Sequence, residues 1–311
     1  LDQQHFLHPT TAIEQQQAQG PTAIFTEGKG IYLKDMDGNT YIDGMSSLWN
    51  VNVGHGREEI AEVAKEQMAK LAFSSCFATF SNEPAIRLAT KIASLAPGDL
   101  NTVFFTSGGS ESNDTAIKLA RHYWILKGQP ERQKIVSRTY SYHGVAMGAT
   151  NATGLKAFRD FTNSPAPDFH YVKSNSISDL RKTIEMLGPE TVAAFMSEPV
   201  QGAGGVNIAE PDYFKEVRAL CDEYGILFIA DEVITGFGRT GKMFGMENDG
   251  VVPDMMSFAK GVSSGYVQLG GVVISEKMHQ DYMALSKGTL MHGYTYSGHA
   301  LACQVGLKNI E

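Results

Sequence analysis

Ile226-Leu227-Phe228-Ile229-Ala230-Asp231 and Met255-Met256-Ser257-Phe258-Ala259-Lys260 are two short apolar runs, each closing on a charged residue. Neither alternates apolar with polar positions, so each predicts a strand buried on both faces. The stretch before the first run, 211–224, predicts a helix with Phe214, Val217, Leu220, Cys221 and Tyr224 on one face. Pro211 stands near its start and Gly225 beyond its end, the usual asymmetry of helix termini. Further strand-like runs at 102–106, 134–137, 192–198 and 271–275 continue the alternation of strand and helix. The expected class is therefore α/β, a mostly parallel sheet flanked by helices.

Ligands of such sheets lie beyond the carboxyl ends of the strands, which is where this reading places Asp231 and Lys260. A lysine amine can form a Schiff base with an aldehyde, and a carboxylate can pair with a protonated ring nitrogen. Both are needed by a pyridoxal phosphate cofactor. Either residue alone could equally be a solvated group where a strand meets a loop, so the neighbouring motifs must decide.

Val103-Phe104-Phe105-Thr106 runs into Ser107-Gly108-Gly109-Ser110 and then a helix with Ala116, Ile117, Ala120, Tyr123 and Trp124 facing inward. Glycines admit an anion close to the backbone, and the helix N-terminus offers free N–H groups. The Ser110 hydroxyl could either cap that helix or bind a phosphate. No Gly-Lys-Ser/Thr follows, so this turn is not a Walker loop, nor does it have the GxGxxG spacing of a dinucleotide fingerprint. Ser141-Tyr142-His143-Gly144 could offer an aromatic face to a flat heterocycle, or be core or rim. Glu198-Pro199-Val200-Gln201-Gly202-Ala203-Gly204-Gly205 is a strand end followed by a glycine-rich loop. The histidines of the segment His292 to His299 have no metal spacing and read as packing or hydrogen-bonding residues; no metal is expected.

Near the start, Gly30-Ile31-Tyr32-Leu33-Lys34 and Thr40-Tyr41-Ile42-Asp43 flank Asp37-Gly38-Asn39, a hairpin signal. The stretch 57–71 reads as an amphipathic helix. The 311 residues suit one large domain with an accessory lobe, or two ordinary domains. The net charge of −8 argues against nucleic-acid or membrane-surface partners. Cys76, Cys221 and Cys303 form no disulfide framework, so a reducing cytoplasm is expected. No run of about 18 uncharged apolar residues predicts a membrane span, and no signal peptide is legible at the start. With no initiator methionine, and with a closing helix that lacks a C-cap signal, the chain reads as cut at both ends.

Taken together, these motifs resemble the class III aminotransferases, pyridoxal-phosphate enzymes of fold type I. The resemblance runs almost end to end, from Asp37-Gly38-Asn39-Thr40-Tyr41-Ile42-Asp43 through Ala230-Asp231-Glu232-Val233-Ile234-Thr235-Gly236-Phe237-Gly238-Arg239-Thr240-Gly241 to Tyr294-Thr295-Tyr296-Ser297-Gly298-His299. It implies Lys260 as the Schiff-base lysine and Asp231 as partner of the ring nitrogen. Gly109 and Ser110 would bind the phosphate of pyridoxal 5′-phosphate, Tyr142 and Val233 would pack on the ring faces, and Glu198 would join the cofactor contacts. Thr295 resembles the threonine that reaches the neighbouring subunit's cofactor, which implies a homodimer. Trp49 resembles an aromatic that shapes the substrate pocket.

The same resemblance implies a small α+β lobe with its N-terminal segment at 1–56 and its C-terminal part missing, beside a large cofactor domain at 57–311. Ile234 stands where the 4-aminobutyrate and ornithine branch carries glutamine, which favours the ω-amine:pyruvate branch. Gln268 replaces a frequent proline, with a small backbone effect expected. The missing lobe would supply the arginine for the substrate carboxylate. The implied activity is ping-pong transfer of an amino group from an ω-amine or ω-amino acid to a keto acid, with pyruvate the expected acceptor. A mutase or racemase of the same family, which needs no second substrate, is the alternative, as is a catalytically silent homologue.

Overall fold

The computed structural model describes every residue except 164 and 165. Its centre is a seven-stranded sheet in the order β4-β12-β11-β10-β7-β5-β6. These strands are β4 (Leu100–Thr106), β5 (Lys134–Arg138), β6 (Phe169–Val172), β7 (Val192–Ser197), β10 (Leu227–Asp231), β11 (Met255–Phe258) and β12 (Gly270–Ser275). Only β12 runs antiparallel, pairing with β11 on one side and β4 on the other. The carboxyl ends of the other six therefore share one edge. The β12 direction was not foreseen, because an apolar run carries no information about strand polarity.

Successive residues of β10 enter different cores. Phe228 and Ala230 pack with Phe195 under the helices Ile177–Leu187 and Tyr213–Tyr224. Leu227 and Ile229 face the helix Gly109–Leu126 on the other side. A third core lies under the helices Glu83–Leu95 and Ala300–Ile310 and takes Phe105, Met256 and Phe258. With both faces covered, every residue of β7, β10, β11 and β12 is buried, and no polar alternation could survive in them.

The expected hairpin forms within a separate antiparallel sheet of β1 (Phe25–Lys29), β2 (Tyr32–Asp35) and β3 (Thr40–Ile42). Asp35 holds its turn by accepting the N–H groups of Asp37 at 3.0 Å and Asn39 at 2.8 Å. The glycine-rich loop after β7 is pinned as a short ribbon, β8 (Val200–Gln201) against β9 (Asn207–Ile208). Among the described residues, no helix is long and apolar enough to cross a membrane.

Candidate active site

Five strand ends deliver side chains to one cavity of about 410 Å³. β4 leads to Ser107 through Ser110, β5 to Tyr142 and His143, β7 to Glu198, β10 ends at Asp231, and β11 leads to Lys260. Antiparallel β12 begins at the same edge, so Gln268 and Leu269 just before it also line the space. Residues scattered over more than 150 positions meet because six strands point the same way.

Asp231 is buried, and its carboxylate is held on several sides. His143 Nδ1 stands 2.7 Å from Oδ2, Asn113 Nδ2 donates to the same oxygen at 2.7 Å, and the Val233 N–H donates to Oδ1 at 3.1 Å. Asn113 is itself fixed by Ser257, whose hydroxyl donates to Asn113 Oδ1 at 2.5 Å. The Asn113 amide and the Val233 N–H are neutral donors, so the carboxylate keeps its capacity to pair with a cation brought by a ligand. The sequence reading assigned no role to His143 or Asn113. The signal for Asn113 was available: it stands one turn before Ala116, Ile117 and Ala120 as a polar residue on an apolar helix face.

Lys260 follows β11 with φ +46°, a left-handed conformation that costs a residue with a Cβ on the order of 1 kcal/mol. The short turn Lys260–Val262 holds it there. Burial holds its amine below the usual lysine range, with Asp231 and Glu198 acting in the opposite direction. Among the described residues, no hydrogen bond or ion pair ends on its Nζ. A half-buried lysine without a partner, near two carboxyls, is poised to react rather than to bridge.

Opposite it, the helix Gly109–Leu126 begins on Gly108, which is extended and offers no side-chain cap. The backbone N–H groups of Gly108 to Glu111 find no acceptor among the described residues. That leaves an anion cradle at the positive end of an 18-residue helix. The space around it is closely fitted: a Cβ on Gly109 would stand 2.8 Å from Val233 Cγ1, and one on Gly144 would stand 2.5 Å from Ser110 Oγ. Of the two roles open to Ser110, capping is not the one adopted. Ser110 lies inside the helix, and its hydroxyl accepts the Val145 N–H at 3.0 Å while lining the cavity.

Glu198 is buried, no basic side chain hydrogen-bonds its carboxylate among the described residues, and it accepts the N–H groups of Tyr142 at 3.0 Å and Gly202 at 3.1 Å. Burial pushes its carboxyl up to about 7, with His143 and the two amides pulling the other way. Through those amides it fixes Tyr142, which lines the cavity and packs edge-on against Phe158. Val233 lines the cavity as well.

Two residues from the sequence reading stand apart. Trp49 lines a neighbouring cavity of about 480 Å³, and Ile234 lines both spaces. Thr295 is exposed and outside the cavity's lining. His292 stacks on Phe104 and lies 2.9 Å from the Thr115 hydroxyl, a packing and hydrogen-bonding role. No cluster arranged to hold a metal ion occurs among the described residues.

A family model described as aminotransferase class-III matches residues 13–311. Putrescine–pyruvate aminotransferase of Pseudomonas aeruginosa is 41% identical, in an alignment covering 100% of this chain and 71% of that protein. The crystal structure of a transaminase from the marine bacterium Virgibacillus matches with a TM-score of 0.99 and 58% identity, over 99% of this chain and 71% of that one. A thermostable (S)-enantioselective omega-transaminase from Thermomicrobium roseum matches with a TM-score of 0.97 and 48% identity, over 99% and 72%.

Proposed function

The chain belongs to the class III aminotransferases, and from that premise we propose that it moves an amino group from an ω-amine or ω-amino acid to a keto acid. The family works with pyridoxal 5′-phosphate. Pyruvate as acceptor rests on the putrescine–pyruvate relative and on Ile234, where the 4-aminobutyrate branch carries glutamine. One observation carries the reading: a single cavity holds a half-buried lysine with no partner among the described residues, a fixed buried carboxylate and a helix start with free amides.

The residues present suit that cofactor. Gly108, Gly109 and Ser110 would hold the phosphate, Tyr142 and Val233 would bracket the ring, Asp231 would accept from its protonated nitrogen, and Lys260 would bond its aldehyde carbon. When bound, the cofactor draws electron density away from the amine-bearing carbon. Burial leaves a larger share of the Lys260 amine neutral than in a free lysine, so Nζ can take a proton from that carbon and later return one. Asp231 would keep the ring nitrogen protonated through a charge-assisted hydrogen bond, and His143 with Asn113 holds the carboxylate in place for it. Glu198 fixes the backbone of Tyr142 and Gly202 on the cavity's other side.

A second copy of the chain belongs to the proposal. Thr295 is exposed, as a residue serving a neighbouring subunit's cofactor needs to be. Three free cysteines suit a cytoplasmic location. The division into an N-terminal segment at 1–56 and a cofactor domain at 57–311 is proposed on the separate three-stranded sheet.

The test is the visible spectrum of the purified chain with pyridoxal phosphate, before and after an ω-amine donor, beside Lys260→Ala. The expected result is a cofactor band that requires Lys260, shifts with the amine and is restored by pyruvate. Net turnover without any keto acid would instead indicate a mutase or racemase. A spectrum indifferent to Lys260 would overturn the reading.

A further inference from the structure

Glu232, next to Asp231, is fully buried and is not among the residues lining the cofactor cavity. No lysine, arginine or histidine meets its carboxylate among the described residues. Three neutral donors do: the Thr235 hydroxyl, the Gly245 N–H at 2.7 Å and the Met246 N–H at 2.8 Å. Its own carbonyl accepts the Gly236 N–H at 2.8 Å. The fit is tight, because a Cβ on Gly245 would stand 2.8 Å from Pro199 Cβ and 3.0 Å from Glu232 Oε2.

The turn 232–239 has a different attachment at each end. At its start, the Val233 N–H is tied to Asp231, and Val233 and Ile234 wall the cofactor cavity. At its far end, the Phe237 carbonyl accepts from Asn52 Nδ2 at 3.0 Å, and Arg239 Nη2 donates to Asn52 Oδ1 at 2.5 Å. Asn52 lies just beyond Trp49 in the N-terminal segment. A buried carboxyl is tolerable only while its donors are in place. Moving the turn would strip them away, so the turn has one low-energy position.

We infer that Glu232 is a positioning residue: it locks the turn 232–239 in place and so ties the cavity wall at Val233 and Ile234 to the segment carrying Trp49. Its functional meaning rests on the proposed cofactor site, but the coupling is a property of the unloaded chain.

Trp49 and Trp124 are the two tryptophans, and Trp124 is buried with its N–H donated to the Ala193 carbonyl. Acrylamide quenching of the unloaded chain therefore reads Trp49. Glu232→Gln keeps the shape, but its amide nitrogen cannot accept, leaving at least one donor unpaired. The expected result is about a twofold rise in quenching and roughly tenfold weaker pyridoxal phosphate binding, with KM for the amine rising more than kcat falls. Asn52→Ala cuts the far joint and is expected to raise quenching alone. The double variant should quench little more than either single one, the mark of a shared path.

Wild-type quenching and cofactor binding in Glu232→Gln would overturn the inference, as would additive effects in the double variant. If Glu232→Gln fails to fold, Thr235→Val removes one donor at constant volume and takes its place in the comparison. A wild-type chain that binds no cofactor would sink the proposed function while leaving the quenching data to judge the coupling.

Discussion

Every residue of β10 is buried and every residue of β3 is exposed, while β1 and β2 together bury only Asp35. The central sheet is held by apolar area on both faces. The N-terminal sheet is held by a few polar pins: Asp35 in its hairpin, Asp43 on His55 at 2.8 Å, and Arg239 on Asn52. The first kind of support fixes the cavity floor in advance of any ligand. The second leaves the border carrying Trp49 dependent on a small number of bonds, and exposes Phe25, Tyr32 and Ile42.

Truncation should break this comparison most plainly. Phe228 is fully buried, and Phe228→Ala should cost about 3–5 kcal/mol in urea unfolding, because cavity loss adds to lost burial. Ile42 is 69% exposed, and Ile42→Ala should stay within about 0.5 kcal/mol. Similar costs at both sites would mean that the two sheets are supported alike.

A pH series sharpens the contrast within the central sheet. Burial pushes Glu232 up to about 7, above the 4.5 of a free glutamate. The folded state then binds more protons than the unfolded state between those values, so wild-type stability falls as pH rises through that window. Glu232→Gln does not titrate. The stability difference should move in the variant's favour by on the order of 3 kcal/mol between pH 5 and 8. His170 and His292, lowered by burial, act in the opposite sense but cancel in the difference. A pH-independent difference would show that Glu232 stays ionised in the fold.

Much of this was legible in the sequence, and for a physical reason. Strands buried on both faces must be continuous apolar runs, so β7, β10, β11 and β12 announced themselves to within a few residues, and β4 and β5 were legible from the apolar residues Val103-Phe104-Phe105 and Ile135-Val136. β6 did not, because Phe169-His170-Tyr171-Val172 is a short edge strand with only Val172 fully buried. Asp231 and Lys260 stood out because a charge that closes a doubly buried run must sit at the edge of the sheet, where ligands bind. His143, Asn113 and Glu232 did not, because their partners depend on how distant elements register; Asn113 and Asp231 lie 118 residues apart. The role of Ser110 turned on whether Gly108 or the serine opens the helix, which composition does not decide.

The central claim is that Lys260 is the residue to which the cofactor bonds. It is tested most directly by incubating the chain with pyridoxal phosphate, reducing with borohydride and mapping the labelled peptide. The account predicts one dominant pyridoxyl group, on Lys260, which is lost in Lys260→Ala. Label spread over surface lysines, and undiminished in that variant, would contradict it.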